Sequence, residues 1–98
     1  MKGQWNFFTN HAHVLICLAN GSGSTLREVA ERVGITERAT SRIVDDLVRE
    51  GAVKRTRRGR CNHYEIQFDL PLRHPLEEHC SVRQLVRLVT KGRQSRAD

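Results

Sequence analysis

Two short capped helices separated by a tight turn constrain the fold of this 98-residue chain more than any other feature. The first, TLREVAERVG, opens with Thr25 and Glu28 as a T-x-x-E capping box, in which each side chain satisfies a backbone amide of the other residue. The second, ITERATSRIVDDLVREGAV, begins after the N-cap Thr36, and Gly51 supplies the left-handed conformation that ends a helix. A flexible link at residues 20–24 precedes the pair. Helices that follow one another this closely cross steeply and share one core.

The second helix is predicted over residues 37–50 and is amphipathic. A turn of about 100° per residue divides its side chains between two faces. The packing face carries Thr40, Ile43, Val44 and Leu47. The opposite face carries Arg38, Arg42, Asp45 and Arg49. The charged face of a lone helix is most often simply solvated, so its interpretation depends on the segments around it.

A basic hairpin follows the second helix. Its sequence, VKRTRRGRCNHYEIQF, predicts strands at residues 53–58 and 62–68 joined by a turn around Gly59. Apolar and polar residues alternate in the second strand, with Tyr64, Ile66 and Phe68 on its apolar face. The chain has a formal net charge of +6, and its basic excess is concentrated in Lys54, Arg55, Arg57, Arg58 and Arg60. A projecting ribbon of this charge favours nucleic acid as the partner.

The ends of the chain predict two more helices. A helix over residues 10–19 is apolar on most faces, which indicates burial on more than one side. Two interpretations remain open: the aromatic residues Trp5, Phe7 and Phe8 cap the core of a single chain, or a second subunit shares that core. After a connector containing Pro71, an S-x-x-Q capping box begins the last helix. Its apolar face carries Val82, Leu85, Val86 and Val89.

These elements predict a mainly α fold with a small β-hairpin wing, in the order α-α-α-β-β-α of a winged helix-turn-helix. One domain of residues 1–91 is long enough for a single modest core. It comprises an N-terminal aromatic segment with the first helix (1–23), the helix-turn-helix with the wing (24–68), and a proline connector with the last helix (69–91). The polar segment 92–98 is expected to be a disordered tail.

The segment TLREVAERVGITERATSRIVDDLVREGAV resembles the DNA-binding core of the MarR and ArsR winged-helix transcriptional regulators, and T-S-R-I-V-D-D-L is close to the MarR recognition-helix pattern. The resemblance extends over residues 15–68. It implies that the second helix of the pair enters the major groove of double-stranded DNA, while Arg58 and Arg60 of the wing reach the minor groove or the backbone. The expected DNA surface comprises Thr36, Arg38, Thr40, Ser41, Arg42, Lys54, Arg57, Arg58 and Arg60. The resemblance places Thr40 at the groove, whereas the helical wheel places it on the packing face.

The chain departs from both families in its details. MarR proteins dimerise through long helices outside the core, and this chain has only a short segment at each end. Its wing is shorter than theirs and lacks the aspartate that usually precedes the wing arginines, and the Cys-x-Cys motif of many ArsR metal sensors is absent. We expect a homodimer formed through the N- and C-terminal segments, and the sequence identifies no effector.

A metal- or thiol-responsive sensor of the same fold is the nearest alternative. The candidate ligands are His11, His13 and Cys17 in the first helix and His74, His79 and Cys80 in the connector. His13 and Cys17 are four residues apart and therefore share a helix face. No second compact pair at a recognisable spacing accompanies them, so we expect neither a metal nor a cofactor. The three cysteines are odd in number and scattered, which favours free thiols in a reducing compartment.

Other classes of function find less support in the sequence. MKGQWNFFTN lacks the continuous apolar stretch of a secretory signal, so we expect a cytoplasmic protein, and no apolar run is long enough to cross a membrane. No carboxylate pair, nucleophile–base set or phosphate-binding loop points to an enzyme. A winged helix used only for protein contacts would be expected to have a neutral or acidic wing, and this wing is basic.

Overall fold

The computed structural model describes residues 5–20 and 25–97, and the side chains described are those of residues 5–20 and 25–90. The predicted link therefore falls outside the described residues at positions 21–24. The described elements are α1 (Asn10–Asn20), α2 (Leu26–Val33), α3 (Glu37–Arg49), β1 (Val53–Arg58), β2 (Cys61–Ile66) and α4 (Val82–Ala97). This order confirms the predicted winged helix.

Local capping sets the beginnings of α2 and α3 and the turn between them. The Thr25 hydroxyl accepts from the Glu28 amide at 3.1 Å, and Glu28 Oε1 accepts from the Thr25 amide at 2.8 Å. The Thr36 hydroxyl accepts from the Ala39 amide at 3.0 Å. Gly34 ends α2 with φ of 87°, a backbone conformation that glycine adopts without steric cost. The predicted capping box and N-cap are confirmed.

A Schellman turn ends α3 and starts the wing. The Gly51 amide donates to the carbonyl of Val48 at 3.1 Å, and the Ala52 amide donates to that of Leu47 at 2.9 Å, which is the bond pattern of this motif. Gly51 has the left-handed φ of 84° that the motif requires. The helix ends at Arg49, one residue before the predicted end. Only three residues separate α3 from β1, so the helix and the wing are directly coupled.

The wing consists of β1, β2 and the turn between them. The strands are antiparallel, and the register runs from Val53 opposite Ile66 to Arg58 opposite Cys61. Gly59 and Arg60 form the turn, and only Gly59 has a positive φ, of 62°. A two-residue hairpin turn with positive φ at its first position is of type II′, which suits the twist of the strands.

The second strand differs from its predicted bounds of 62–68. It begins at Cys61 and ends at Ile66, because the chain turns after that residue. The Gln67 amide bonds to the carbonyl of Ala52 at 2.8 Å, and Phe68 is half-buried beyond the strand. The prediction extended the alternating pattern by two residues into this turn.

The core lies where α1 meets the other elements. Helix α1 packs against α2, α3, α4 and β2. The buried hydrophobic residues are Val14, Leu15, Leu18, Val29, Ala30, Ile43, Val44, Leu47, Ala52, Val53, Tyr64, Ile66, Val82 and Val86. The predicted packing face of α3 is confirmed, because Ile43, Val44 and Leu47 are all buried.

The N-terminal aromatic residues do not cap this core. Trp5 is 74% exposed and Phe7 is 90% exposed, and their ring centroids lie 4.7 Å apart in an edge-to-face arrangement. Only Phe8 is half-buried. The interpretation in which all three rings close the core of a single chain is therefore wrong for Trp5 and Phe7.

The connector between β2 and α4 is an ordered loop, which the sequence did not predict. Pro71 and Ser81 form an antiparallel bridge, and the Leu72 amide donates to the carbonyl of Cys80 at 2.9 Å. Arg73 bonds to Glu50 at 2.8 Å and ties the loop to the end of α3. These contacts return the chain to the core at the start of α4.

Helix α4 begins as the capping box predicts, since the Ser81 amide donates to Gln84 Oε1 at 2.8 Å. The helix packs against α1 of its own chain, and the Thr90 hydroxyl donates to Asn20 Oδ1 at 3.0 Å. It continues to Ala97, beyond the domain boundary predicted at residue 91. A disordered tail at 92–98 stays a prediction.

Candidate nucleic-acid interface

The outer face of α3 presents three polar side chains to solvent. Arg38, Ser41 and Arg42 are exposed, and the opposite face of the helix is held in the core by Ile43 and Val44. This attachment fixes the rotation of the helix about its axis and therefore the direction of the three side chains. Thr36 is also exposed, at the N-terminal end of the same helix, where its hydroxyl serves as the N-cap.

Thr40 is buried in the core and does not belong to the expected DNA surface. Its relative exposure is 0%, and its hydroxyl donates to the carbonyl of Thr36 at 2.9 Å. A side chain without exposed surface cannot reach a base edge. The helical wheel placed this residue correctly, and the assignment transferred from the family pattern was wrong because it followed sequence position without the orientation of the side chain.

We expect Thr40→Val to leave both folding and DNA binding nearly unchanged. The Thr36 carbonyl keeps its bond from the Thr40 amide at 3.0 Å, so the substitution leaves no buried acceptor unpaired. The free energy of unfolding, measured with denaturant, should therefore change by no more than about 1 kcal/mol. Fluorescence anisotropy with a duplex should show an affinity within about twofold of wild type. A larger loss of affinity in a folded variant would return Thr40 to the binding surface.

The wing presents its basic side chains on two faces. Because side chains alternate along a strand, Lys54 and Arg58 lie on one face of β1, and Arg55 and Arg57 lie on the other with the buried Val53. Arg57 folds back, and its Nε donates to the carbonyl of Gly59 at 3.2 Å. Within the part of the chain that the structure describes, the side chains of Lys54, Arg58 and Arg60 make no hydrogen bond or ion pair.

Each carboxylate near the C-terminal end of α3 has a basic partner. The pairs are Asp45 with Arg55 at 3.0 Å, Asp46 with Arg49 at 2.6 Å and with His11 at 2.9 Å, and Glu50 with Arg73 at 2.8 Å. Arg38 and Arg42, by contrast, have no acidic partner among residues 5–20 and 25–90. The outer face of α3 therefore keeps two guanidiniums without an acidic partner, while the carboxylates toward its C-terminal end are each paired.

A groove of about 640 Å³ lies beside the C-terminal half of α3, between the N-terminal segment, the connector and α4. Its floor is apolar, with Leu15, Leu47 and Leu85 among the lining residues. The hydrogen-bonded side chains of His11 and Asp46 lie at this groove. Hydrogen bonds from the His11 and Arg49 side chains lower the pKa of Asp46. The stabilisation from this carboxylate is therefore present at neutral pH and is lost on acidification.

The sensor ligands considered from the sequence are not assembled into a metal site. Among the described residues, no group of three His, Cys, Asp or Glu side chains is placed to hold a metal ion. His11 bonds to Asp46, and His74 Nδ1 accepts from the Leu76 amide at 3.0 Å. Cys17 and Cys80 are half-buried, and Cys61 is exposed on the wing. The geometry therefore gives a sensor function no specific support.

Comparison with known proteins decides the family. The family model for the MarR family matches residues 8–60, which cover α1, α2, α3, β1 and the turn of the wing. The chain belongs to the MarR family. As a member it is a DNA-binding transcriptional regulator, and its fold is the winged helix described above. A search of curated proteins finds no significant match.

The family match is narrower than the resemblance seen in the sequence, which included both MarR and ArsR regulators. The match is to MarR proteins, and the expected likeness to ArsR proteins gains no support from it. The MarR family is a family of regulators and not of enzymes. Within the described residues, no helix of this MarR protein is both long and apolar enough to cross a membrane.

Proposed function

We propose that this MarR-family regulator binds duplex DNA in a sequence-specific manner, with α3 in the major groove. The supporting observation is the exposed pair Arg38 and Arg42, which have no acidic partner among the described residues, on a helix whose later carboxylates are all paired. An arginine can make a bidentate contact to guanine, and Ser41 beside them suits a neighbouring base or a phosphate. Thr36, at the N-terminal end of the helix, suits a phosphate contact.

The wing supplies the sequence-independent part of the proposed binding. Lys54, Arg57, Arg58 and Arg60 are exposed and suit phosphate oxygens of the backbone or the edge of the minor groove. Such contacts release counterions, so the affinity should fall with salt. Roughly six phosphate contacts would give a log–log slope of about −5.

Replacing Arg58 and Arg60 together with glutamine should weaken binding to every duplex. Two lost phosphate contacts should make the salt slope less steep by about 2, on selected and scrambled DNA alike. Anisotropy titrations at several salt concentrations measure this. Arg87→Gln is the control, since Arg87 is exposed on α4, outside both α3 and the wing, and its replacement should change the slope far less per charge removed. An equal slope change per charge removed in the two variants would contradict a specific role for the wing.

We propose further that the regulator acts as a homodimer through its terminal segments. Trp5, Phe7 and Leu88 are 74%, 90% and 67% exposed, an unusual exposure for large apolar side chains in a small domain. In a dimer bound to one duplex, the two recognition helices would have to lie about 34–36 Å apart to meet successive major grooves. The expected site is a pseudo-palindrome.

Selection of bound sequences from random duplexes, followed by light scattering of the free protein and of the complex, tests both parts of the proposal. Enrichment of a pseudo-palindromic site, with a mass of two chains, is the expected result. No enrichment would leave only non-specific binding, and no binding at all would favour a winged helix used for protein contacts. We expect the protein in the cytoplasm, which cell fractionation tests.

A further inference from the structure

The wing is anchored to the domain only at its root. Ala52, Val53 and Ile66 are buried there, and the Schellman turn fixes the direction in which the chain leaves α3. Tyr64 is the last core residue along the hairpin. All of residues 56–63 are exposed, so the outer part of the wing lies outside the core.

One ion pair joins α3 to the wing just before this exposed part. Arg55 lies opposite Tyr64 in the register and on the same face of β1 as the buried Val53, so its side chain points toward α3. Its Nη1 lies 3.0 Å from Oδ1 of Asp45, which is on the outward face of that helix. The two side chains are 36% and 56% exposed. The Arg55 guanidinium is therefore paired with Asp45 and does not add to the unpaired, solvent-facing positive charge of the wing.

The position of this pair matters because of what lies beyond it. Arg58 is three residues farther along β1, roughly 10 Å from Arg55 at the rise of a β-strand. A small rotation of the hairpin about its root therefore moves the turn farther than it moves Arg55. The pair joins the two elements that carry the side chains proposed to contact DNA, α3 and the wing.

We propose that Asp45 and Arg55 are positioning residues that set the angle between the recognition helix and the wing. They act through each other and do not contact DNA themselves. The inference rests on the proposed DNA-binding function and adds two residues to its machinery. It also explains an acidic residue on the face of α3 that approaches a polyanion: Asp45 neutralises Arg55 and holds it in place.

Asp45→Asn separates positioning from simple charge, because the two effects have opposite signs. The substitution raises the formal net charge from +6 to +7, that is by 1. Charge alone would tighten binding to any duplex. Loss of positioning would weaken it, by about two- to fivefold, the range of an exposed ion pair. The direction of the change is thus the result to measure.

The charge-swap variant Asp45→Arg with Arg55→Asp is the matched control. It restores an ion pair between the two elements and keeps the net charge of +6. Anisotropy titrations with a selected and a scrambled duplex should show weaker binding for Asp45→Asn on both, and recovery to within about twofold of wild type for the swap. Tighter binding by Asp45→Asn, or no recovery in the swap, would overturn the inference.

A measurement without DNA keeps the positioning inference separate from the proposed function. Backbone ¹⁵N relaxation of the free protein should give lower order parameters for residues 56–63 in Asp45→Asn than in wild type, and wild-type values in the swap. Unchanged order parameters would overturn the inference. Wild-type protein that binds no duplex would instead contradict the proposed function, and the relaxation result would still decide whether the pair restrains the wing.

Discussion

Arg42→Ala is expected to weaken binding to the selected duplex by about five- to 150-fold while leaving binding to scrambled DNA nearly unchanged. This range corresponds to about 1–3 kcal/mol, the discrimination supplied by one good bidentate contact to a base. Arg42 is exposed and has no acidic partner in the described part of the chain. Its helix is held from behind by buried Ile43 and Val44, so the helix backbone requires little reorganisation to present the side chain at a base edge.

Arg87→Ala is the matched control for this prediction. Arg87 is an exposed arginine on α4, outside both α3 and the wing, so its removal changes the net charge equally. A small and equal loss on both duplexes is expected for the control, since only long-range attraction is reduced. Competition titrations with the two duplexes measure the specificity ratio directly. If Arg42→Ala reduces both affinities by the same factor, Arg42 contacts the phosphate backbone and does not read a base.

In the proposed complex, the arrangement of acidic groups on α3 would favour specific over indiscriminate binding. Asp45, Asp46 and Glu50 are each paired with a basic side chain from another element or the next turn. Glu37 lies in the first turn, where a carboxylate stabilises the helix through its dipole. Among the described residues, the unpaired positive charge of α3 is therefore confined to Arg38 and Arg42.

Local chemistry made the helices of the winged helix predictable. The hydroxyls of Thr25 and Thr36 and the glycines at 34 and 51 act within a few residues of their own positions, so the sequence shows where α2 and α3 begin and end. The periodicity of α3 also placed Thr40 in the core against the family pattern. Short-range rules thus predicted these elements to within one residue.

The features that the sequence did not reveal depend on contacts between distant segments. Asp45 and Arg55 are ten residues apart and meet only because the Schellman turn brings β1 back along α3. The loop closed by Pro71 and Ser81 depends in the same way on tertiary packing. The exposure of Phe7 is the third case, since an aromatic residue in a short segment is equally compatible with a core and with an interface.

Leu18→Ala is expected to have the largest effect on stability of any conservative truncation in this chain. Leu18 is 2% exposed and lies on α1, the helix that packs against α2, α3, α4 and β2. Truncating a buried leucine costs about 2–5 kcal/mol, since apolar burial is lost and a cavity remains. For a domain of this size the midpoint of thermal unfolding should fall by roughly 10–30 °C. Small domains are stable by only about 5–15 kcal/mol, so much of the margin would be lost.

Leu76→Ala is the matched control, because it makes the same chemical change at a residue that is 79% exposed. Most surface substitutions change the free energy of unfolding by about 0.5 kcal/mol or less, so the midpoint of thermal unfolding should stay within a few degrees of wild type. Circular dichroism melts of the two variants give the comparison. Equal shifts would contradict a core centred on α1.

Because that core fixes the rotation of α3, Leu18→Ala should also lower DNA affinity as the folded fraction falls, whereas Arg42→Ala should lower it in a protein that melts normally. The two variants thereby separate loss of the fold from loss of base contact.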